Sequence, residues 1–117
     1  MAVAQPQSTP ASVDVAALAA RAREASDFLK ALAHRGRLLI LCLLVDGERS
    51  VTDLERLLEL RQPTVSQQLA RLRAEGLVKA RREGKTIFYS LADEKVARII
   101  GALHSVFCAD EADESAA

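Results

Sequence analysis

Tryptophan is absent from this chain, and aromatic residues are scarce: one tyrosine and three phenylalanines in 117 residues. A chain this short is a single domain with a modest core, and burial against a second copy would help to stabilise it. Long apolar runs are missing as well. Leu38 to Val45 is an unbroken apolar stretch of only eight residues, far short of the roughly 18 or more that a membrane helix requires. The N-terminus lacks the charged start and apolar centre of a signal peptide, so the expectation is a cytoplasmic protein with no membrane partner. There is no internal repeat. No Ser/His/Asp set, glycine-rich phosphate loop or paired-carboxylate constellation stands out, which argues against an enzyme and against any cofactor. Cysteine is reduced to two residues, Cys42 and Cys108, so far apart that only the fold could join them. Net charge is missing too, with 16 basic and 16 acidic side chains.

What is present is concentrated between residues 50 and 91. Gln62 to Leu72 predicts a helix. Pro63 suits its first turn, where a missing N–H costs nothing, and Val65, Leu69 and Leu72 form one apolar stripe. The other face carries Gln62, Thr64, Ser66, Gln67, Gln68 and Arg71. Glutamine can pair in bidentate fashion with adenine and arginine with guanine, while serine and threonine bond base edges or phosphates. Taken alone, such a face is equally that of a solvated helix, since glutamine favours helices anyway; its neighbours decide. Upstream, Ser50 to Leu58 reads as a short helix with Ser50 as N-cap and Asp53 in the capping-box position. Val51, Leu54 and Leu58 mark its buried side, and Glu59 to Arg61 forms a short link. Two short helices so joined fit a helix-turn-helix whose second helix enters the major groove. Downstream, Gly76 suits a helix C-terminus. Leu77 to Leu91 then reads as two strands around a glycine-containing turn. Arg81, Arg82 and Lys85 make that hairpin basic, as a wing touching DNA backbone or minor groove would be, with Tyr89 a further contact.

The zero net charge is segregated. Residues 55–90 hold eight basic and four acidic side chains, leaving +4, whereas residues 91–117 hold two basic and six acidic ones, leaving −4. Residues 1–54 balance at six of each. The basic part therefore coincides with the helix-turn-helix and hairpin, and phosphate binding requires such a local patch.

Two more helices flank this unit. Leu18, Ala22, Ala25, Leu29 and Leu32 form one apolar stripe, and Val96, Ile99, Ile100, Leu103 and Phe107 form another. A winged helix-turn-helix needs neither for its own core. The expectation is that first and last helices pair across a two-fold axis, presenting two recognition helices to a pseudo-palindromic site on double-stranded DNA. The expected layout is a disordered N-terminal tail over residues 1–13, a mainly α domain with a small β-hairpin over 14–109, and an acidic tail over 110–117.

Leu60 to Leu69, Leu72 to Val78, Arg82 to Lys85 and Phe88 to Leu91 together resemble the ArsR family of winged-helix repressors. Leu29 to Leu41 resembles the family's opening helix pair, so the likeness spans roughly residues 25–108. It implies an operator-binding homodimer. Many members sense metals through a cysteine pair at the first helix of the helix-turn-helix, or through Asp and His pairs on the last helix. Here Glu48 to Leu54 has no cysteine, and His104 stands alone with Asp93 and Glu94 near the helix start. Four close ligands are needed for a closed zinc site, and His34 and His104 do not supply them, so no metal site is expected. The cysteine positions instead match the branch of biofilm growth-associated and sulfide- or persulfide-responsive repressors. That resemblance implies that Cys42 and Cys108 form a dithiol switch, bridged by reactive sulfur species as inducer. The alternatives are a peroxide sensor, a metal-responsive repressor, or a constitutive repressor with inert cysteines, Cys42 being a small buried hydrophobe.

Overall fold

The structure, a computed structural model, describes residues 13–107. The tails and Cys108 expected from the sequence thus fall outside the described residues, apart from Val13. The chain divides between Ala31 and Leu32 into two units.

The first unit carries helix α1 (Val15–Leu32) except for its last residue, Leu32. Asp14 starts it, its carboxylate accepting from the Ala17 amide at 3.1 Å, which satisfies one of the unpaired N–H groups of a first turn. Lys30 in the last turn suits the negative end of the helix dipole. Leu18, Ala22, Ala25 and Leu29 of the expected stripe are all exposed, as is Val15; only Leu32 at its end is buried.

The second unit runs α2 (Arg35–Leu43), β1 (Arg49–Ser50), α3 (Val51–Leu58), α4 (Gln62–Ala74), β2 (Val78–Glu83), β3 (Thr86–Leu91) and α5 (Glu94–Phe107). Its core is aliphatic. Ile40 and Leu41 of α2, Leu54 of α3, Val65, Leu69 and Leu72 of α4, and Ile100 of α5 are fully buried. Helix α4 lies at the centre, against α2, α3 and β2, and α2 also packs on α5. The apolar run from Leu38 to Val45 reads as a largely buried helix, and seven of its eight residues are buried or half-buried. Ile40, Leu41 and Leu44 are buried, Leu39 is exposed, and Cys42 is half-buried. One face of α2 meets the core, as in an amphipathic surface helix.

Both ends of the helix-turn-helix are set by local chemistry. Ser50 is the N-cap of α3, its hydroxyl accepting from the Asp53 amide at 3.1 Å. Helix α4 opens with proline in its first turn. Its end is a Schellman motif: Leu77 donates to the Leu72 carbonyl at 2.9 Å, Gly76 donates to that of Arg73 at 3.0 Å, and Gly76 takes φ +76°. Leu72 and Leu77, both buried, close it with an apolar pair. The α3 end has the same 6→1 bond, from Leu60 to the Glu55 carbonyl at 3.2 Å, but the left-handed residue there is Glu59, at φ 56°. A side chain in that conformation costs about 1–2 kcal/mol. Glu59→Gly is therefore expected to raise stability by about 1 kcal/mol and Gly76→Ala to lower it by about as much, both read by chemical denaturation. Equal and opposite signs are the check; a loss in both variants would contradict the strain at Glu59.

The expected hairpin is present. β2 and β3 pair antiparallel from Val78 opposite Leu91 to Glu83 opposite Thr86, with Gly84 and Lys85 as a two-residue loop. Gly84 has φ 63° and Lys85 has no positive φ, as in turns with glycine first. A third strand, β1, pairs antiparallel with β3, Arg49 opposite Tyr89 and Ser50 opposite Phe88, giving the order β1-β3-β2. β1 is an addition to the expected hairpin. Two residues are too few to show alternation in the sequence.

Candidate nucleic-acid interface

Helix α4 separates its predicted residues by depth. Thr64, Gln67 and Arg71, at i, i+3 and i+7, share one exposed stripe opposite the buried Val65, Leu69 and Leu72. Ser66 and Gln68 sit at the two edges of the buried stripe and are half-buried. The Gln68 amide lies close over Gly36 at the start of α2. Gln62 begins the helix, and its side chain is outside the described residues. Three of the six predicted groove residues thus form one continuous outward row.

Arg71 also approaches Glu75, Nε to Oε2 at 3.9 Å, and the other Glu75 oxygen lies 3.5 Å from Nη1 of Arg37. Arg37 is a buried arginine of α2, so the carboxylate at the foot of α4 bridges the recognition helix to α2. The amide of Arg37 is in turn capped by Nδ1 of His34 at 3.4 Å. Sequence reading missed this bridge. The only signal was an arginine at the head of an apolar helix, with no sign of a partner 38 positions on.

On the wing, Arg82 and Lys85 are exposed, and neither has an ion pair among the described residues. Lys85 lines a cleft together with Thr52 and Glu55 of α3. Arg81 differs. Its Nε and Nη2 each donate to a different Glu48 oxygen at 2.8 Å, its Nη1 lies 3.5 Å from Glu83, and its guanidinium stacks 4.9 Å above the Phe88 ring. Tyr89 is half-buried and sits opposite Arg49 in β1 and Ala80 in β2.

The Arg81 hydrogen bonds hold the Glu48 carboxyl below its ordinary value of 4.5, with the charges of Arg81 and Lys79 adding to the effect. A lowered carboxyl in the folded state stabilises the fold fully above pH 4.5, and the contribution is lost as pH falls through the lowered value. The wing clasp is thus expected to hold from neutral pH to below 4.5 and to open on further acidification. The Arg81 Nε–H resonance followed against pH measures this directly; release at or above pH 5 would contradict it.

Cys42 lies in the last turn of α2, half-buried, its carbonyl accepting from the Val45 amide at 3.2 Å. Cys108 lies outside the described residues, immediately after Phe107, where α5 ends. No group of three or more His, Cys, Asp or Glu able to hold a metal ion occurs among the described residues. None of the described helices is long and apolar enough to cross a membrane.

Residues 34–80, from the head of α2 to β2, match the family described as bacterial regulatory protein, arsR family. The biofilm growth-associated repressor of Agrobacterium fabrum (strain C58 / ATCC 33970) is 52% identical over 99 residues, covering 85% of each chain. Among solved structures, the transcriptional repressor BigR from Xylella fastidiosa superposes with a TM-score of 0.78 at 45% identity, over 84% of this chain and 97% of that one. Reduced HlyU from Vibrio cholerae N16961 superposes with a TM-score of 0.74 at 44% identity, over 78% and 96%.

Proposed function

We propose a function from one premise: this chain belongs to the arsR family of bacterial regulatory proteins, with the winged helix-turn-helix fold of its DNA-binding regulators. It is a repressor that docks α4 in the major groove of an operator and lays its wing on the adjacent backbone. The observation that carries this is the exposed row Thr64, Gln67 and Arg71 backed by a fully buried stripe. Such a row is rigidly held for reading base edges, with Arg82 and Lys85 beside it for phosphate. Ser66 and Gln68, half-buried on the same helix, Gln62 at its start and Tyr89 of the wing complete the proposed DNA-contact set.

The active form is a homodimer through the first and last helices. Supporting this, Leu18 and Leu29 of α1, and separately Val106 and Phe107 of α5, are more than half exposed in the single chain, apolar side chains on each helix that a second copy would cover. Two copies related by a two-fold axis then read two half-sites.

Operator binding is relieved by reactive sulfur species through Cys42 and Cys108. The packing of α2 on α5 supports this reading, since Cys42 lies in the last turn of the one helix and Cys108 follows the other in sequence. The description of the HlyU relative as reduced supports it also. A Cys42 or Cys108 thiolate attacks the terminal sulfane sulfur of glutathione persulfide, becoming a persulfide and releasing glutathione. The second thiolate then attacks the inner sulfur of that persulfide, releasing hydrosulfide and leaving a disulfide. When both thiols carry a persulfide, one persulfide anion displaces hydrosulfide from the other and leaves a trisulfide. A direct disulfide needs Cα atoms within about 7 Å, a limit that a longer sulfur bridge relaxes.

Intact mass after glutathione persulfide, and separately after hydrogen peroxide, tests the reading alongside DNA affinity. Persulfide should remove two hydrogens, with or without one added sulfur, join Cys42 to Cys108 and weaken binding. A bridge formed only by peroxide would make the protein a peroxide sensor. Unchanged mass and binding with both reagents would leave a metal-responsive or constitutive repressor.

A further inference from the structure

We propose that residues 43–50 form a connecting arm that sets the pose of the wing, with Glu48, Arg49 and Arg81 as positioning residues that do not touch DNA. The inference rests on the reading of α4 and the wing as the DNA-binding surface. It reassigns Arg81, which the sequence places among the phosphate contacts.

The arm leaves α2 at its last residue and is fastened at both ends. Arg49 Nε donates to the Leu43 carbonyl at 2.7 Å, one of the carbonyls that a helix C-terminus leaves unpaired. The Arg49 backbone meanwhile pairs with Tyr89 in β3. One residue earlier, Glu48 takes both donors of the Arg81 fork from β2. Each strand of the wing is therefore tied to the same short segment, and that segment is tied to the end of α2. Arg81 has a carboxylate beside each of its three nitrogens, two bonds to Glu48 and one approach from Glu83, while its plane rests on Phe88. A guanidinium neutralised on that scale offers little to a phosphate. Arg82 and Lys85, with the exposed Lys79 of β2, carry the wing's available charge instead. The planar fork is what lysine cannot reproduce, and this separates a positioning role from a phosphate contact. The arm also begins one residue after Cys42, so a change in the last turn of α2 reaches the wing directly.

The experiment uses the full chain and a duplex that the wild-type protein selects from a random-sequence library. Affinity and its salt dependence are measured for Arg81→Lys, Arg81→Gln, Glu48→Gln, the Glu48→Gln/Arg81→Gln double variant and Arg82→Gln. Thermal unfolding and the Gly84 and Lys85 amide resonances of the DNA-free proteins are recorded in parallel. Arg81→Lys, Arg81→Gln and Glu48→Gln should each weaken binding about threefold to tenfold. The double variant should be no weaker than either single, as for groups acting as one unit. All should keep the wild-type salt slope and shift the wing-tip resonances alike, whereas Arg82→Gln should flatten the slope by about one charge per protomer. Three results would overturn the proposal: Arg81→Lys binding like wild type while Arg81→Gln loses salt slope, Glu48→Gln binding more tightly than wild type, or wing-tip resonances that do not move. Should the wild-type protein select no duplex, the DNA-binding reading itself fails, and the resonances still decide whether the arm positions the wing.

Discussion

Arg71→Ala should weaken operator binding at least about 30-fold. A bidentate arginine–guanine contact discriminates by about 1–3 kcal/mol, and in the proposed dimer it is lost at both half-sites, about 2–6 kcal/mol in all. Arg71 stands at the end of the exposed row on α4, two-thirds exposed, with only a 3.9 Å approach to Glu75 to lose. An exposed pair of that length adds little to stability, so the unfolding midpoint should stay within a degree or two of wild type. Fluorescence anisotropy with a labelled operator duplex gives the affinity, and calorimetry gives the midpoint. If a base contact is removed, relaxed preference at one operator position accompanies the loss; if a phosphate contact is removed, the salt slope falls instead. Unchanged affinity would take Arg71 out of the interface and leave Thr64 and Gln67 to carry the readout.

The second large effect is on stability. Leu69→Ala should cost about 2–5 kcal/mol, the range for removing a fully buried leucine side chain, and lower the midpoint by about 10 °C or more. Leu69 has no exposed surface and lies on the helix that meets α2, α3 and β2 at once. The surrounding elements therefore cannot close the cavity without moving one another. Ala70→Ser on the same helix, at an exposed position, is the control and should be close to neutral. A loss under 1 kcal/mol for Leu69→Ala would mean that the centre of the core relaxes far more freely than its packing implies. Since single domains are stable by only about 5–15 kcal/mol, the larger end of this range would leave a substantial unfolded fraction at growth temperature.

What the sequence disclosed, and what it withheld, follows from the range over which each interaction acts. The stripe Val65, Leu69 and Leu72, the proline start of α4, the Ser50 cap and the glycine end at Gly76 are all local, within a turn or two of helix. Each is where the residue types place it. The hairpin was legible for the same reason. The Glu48–Arg81 clasp joins residues 33 positions apart, and β1 pairs with a strand far downstream. Neither has a local period to read. Arg81 and Arg82 look alike as letters, yet one is held by carboxylates and the other is exposed. Ser66 and Gln68 likewise belong to the polar face by residue type, whereas their angular position puts them at the edge of the core. Glu59 in a left-handed conformation was invisible because glycine is the usual marker of that geometry.

Ser50 has two employments. Its backbone lies in β1 opposite Phe88, and its hydroxyl caps α3 at Asp53. The strand ends and the helix begins with no residue between them. Chain length is therefore fixed at this junction. One residue more between Arg49 and Val51 would either turn the strand's faces over or draw the hydroxyl away from the amide it caps. Growth or shortening of the chain has its outlet at residues 45–47, the bend before Glu48. Loop exchange between this protein and its relatives should accordingly be cut there, leaving the span from Glu48 to Leu91 as one indivisible piece of sequence.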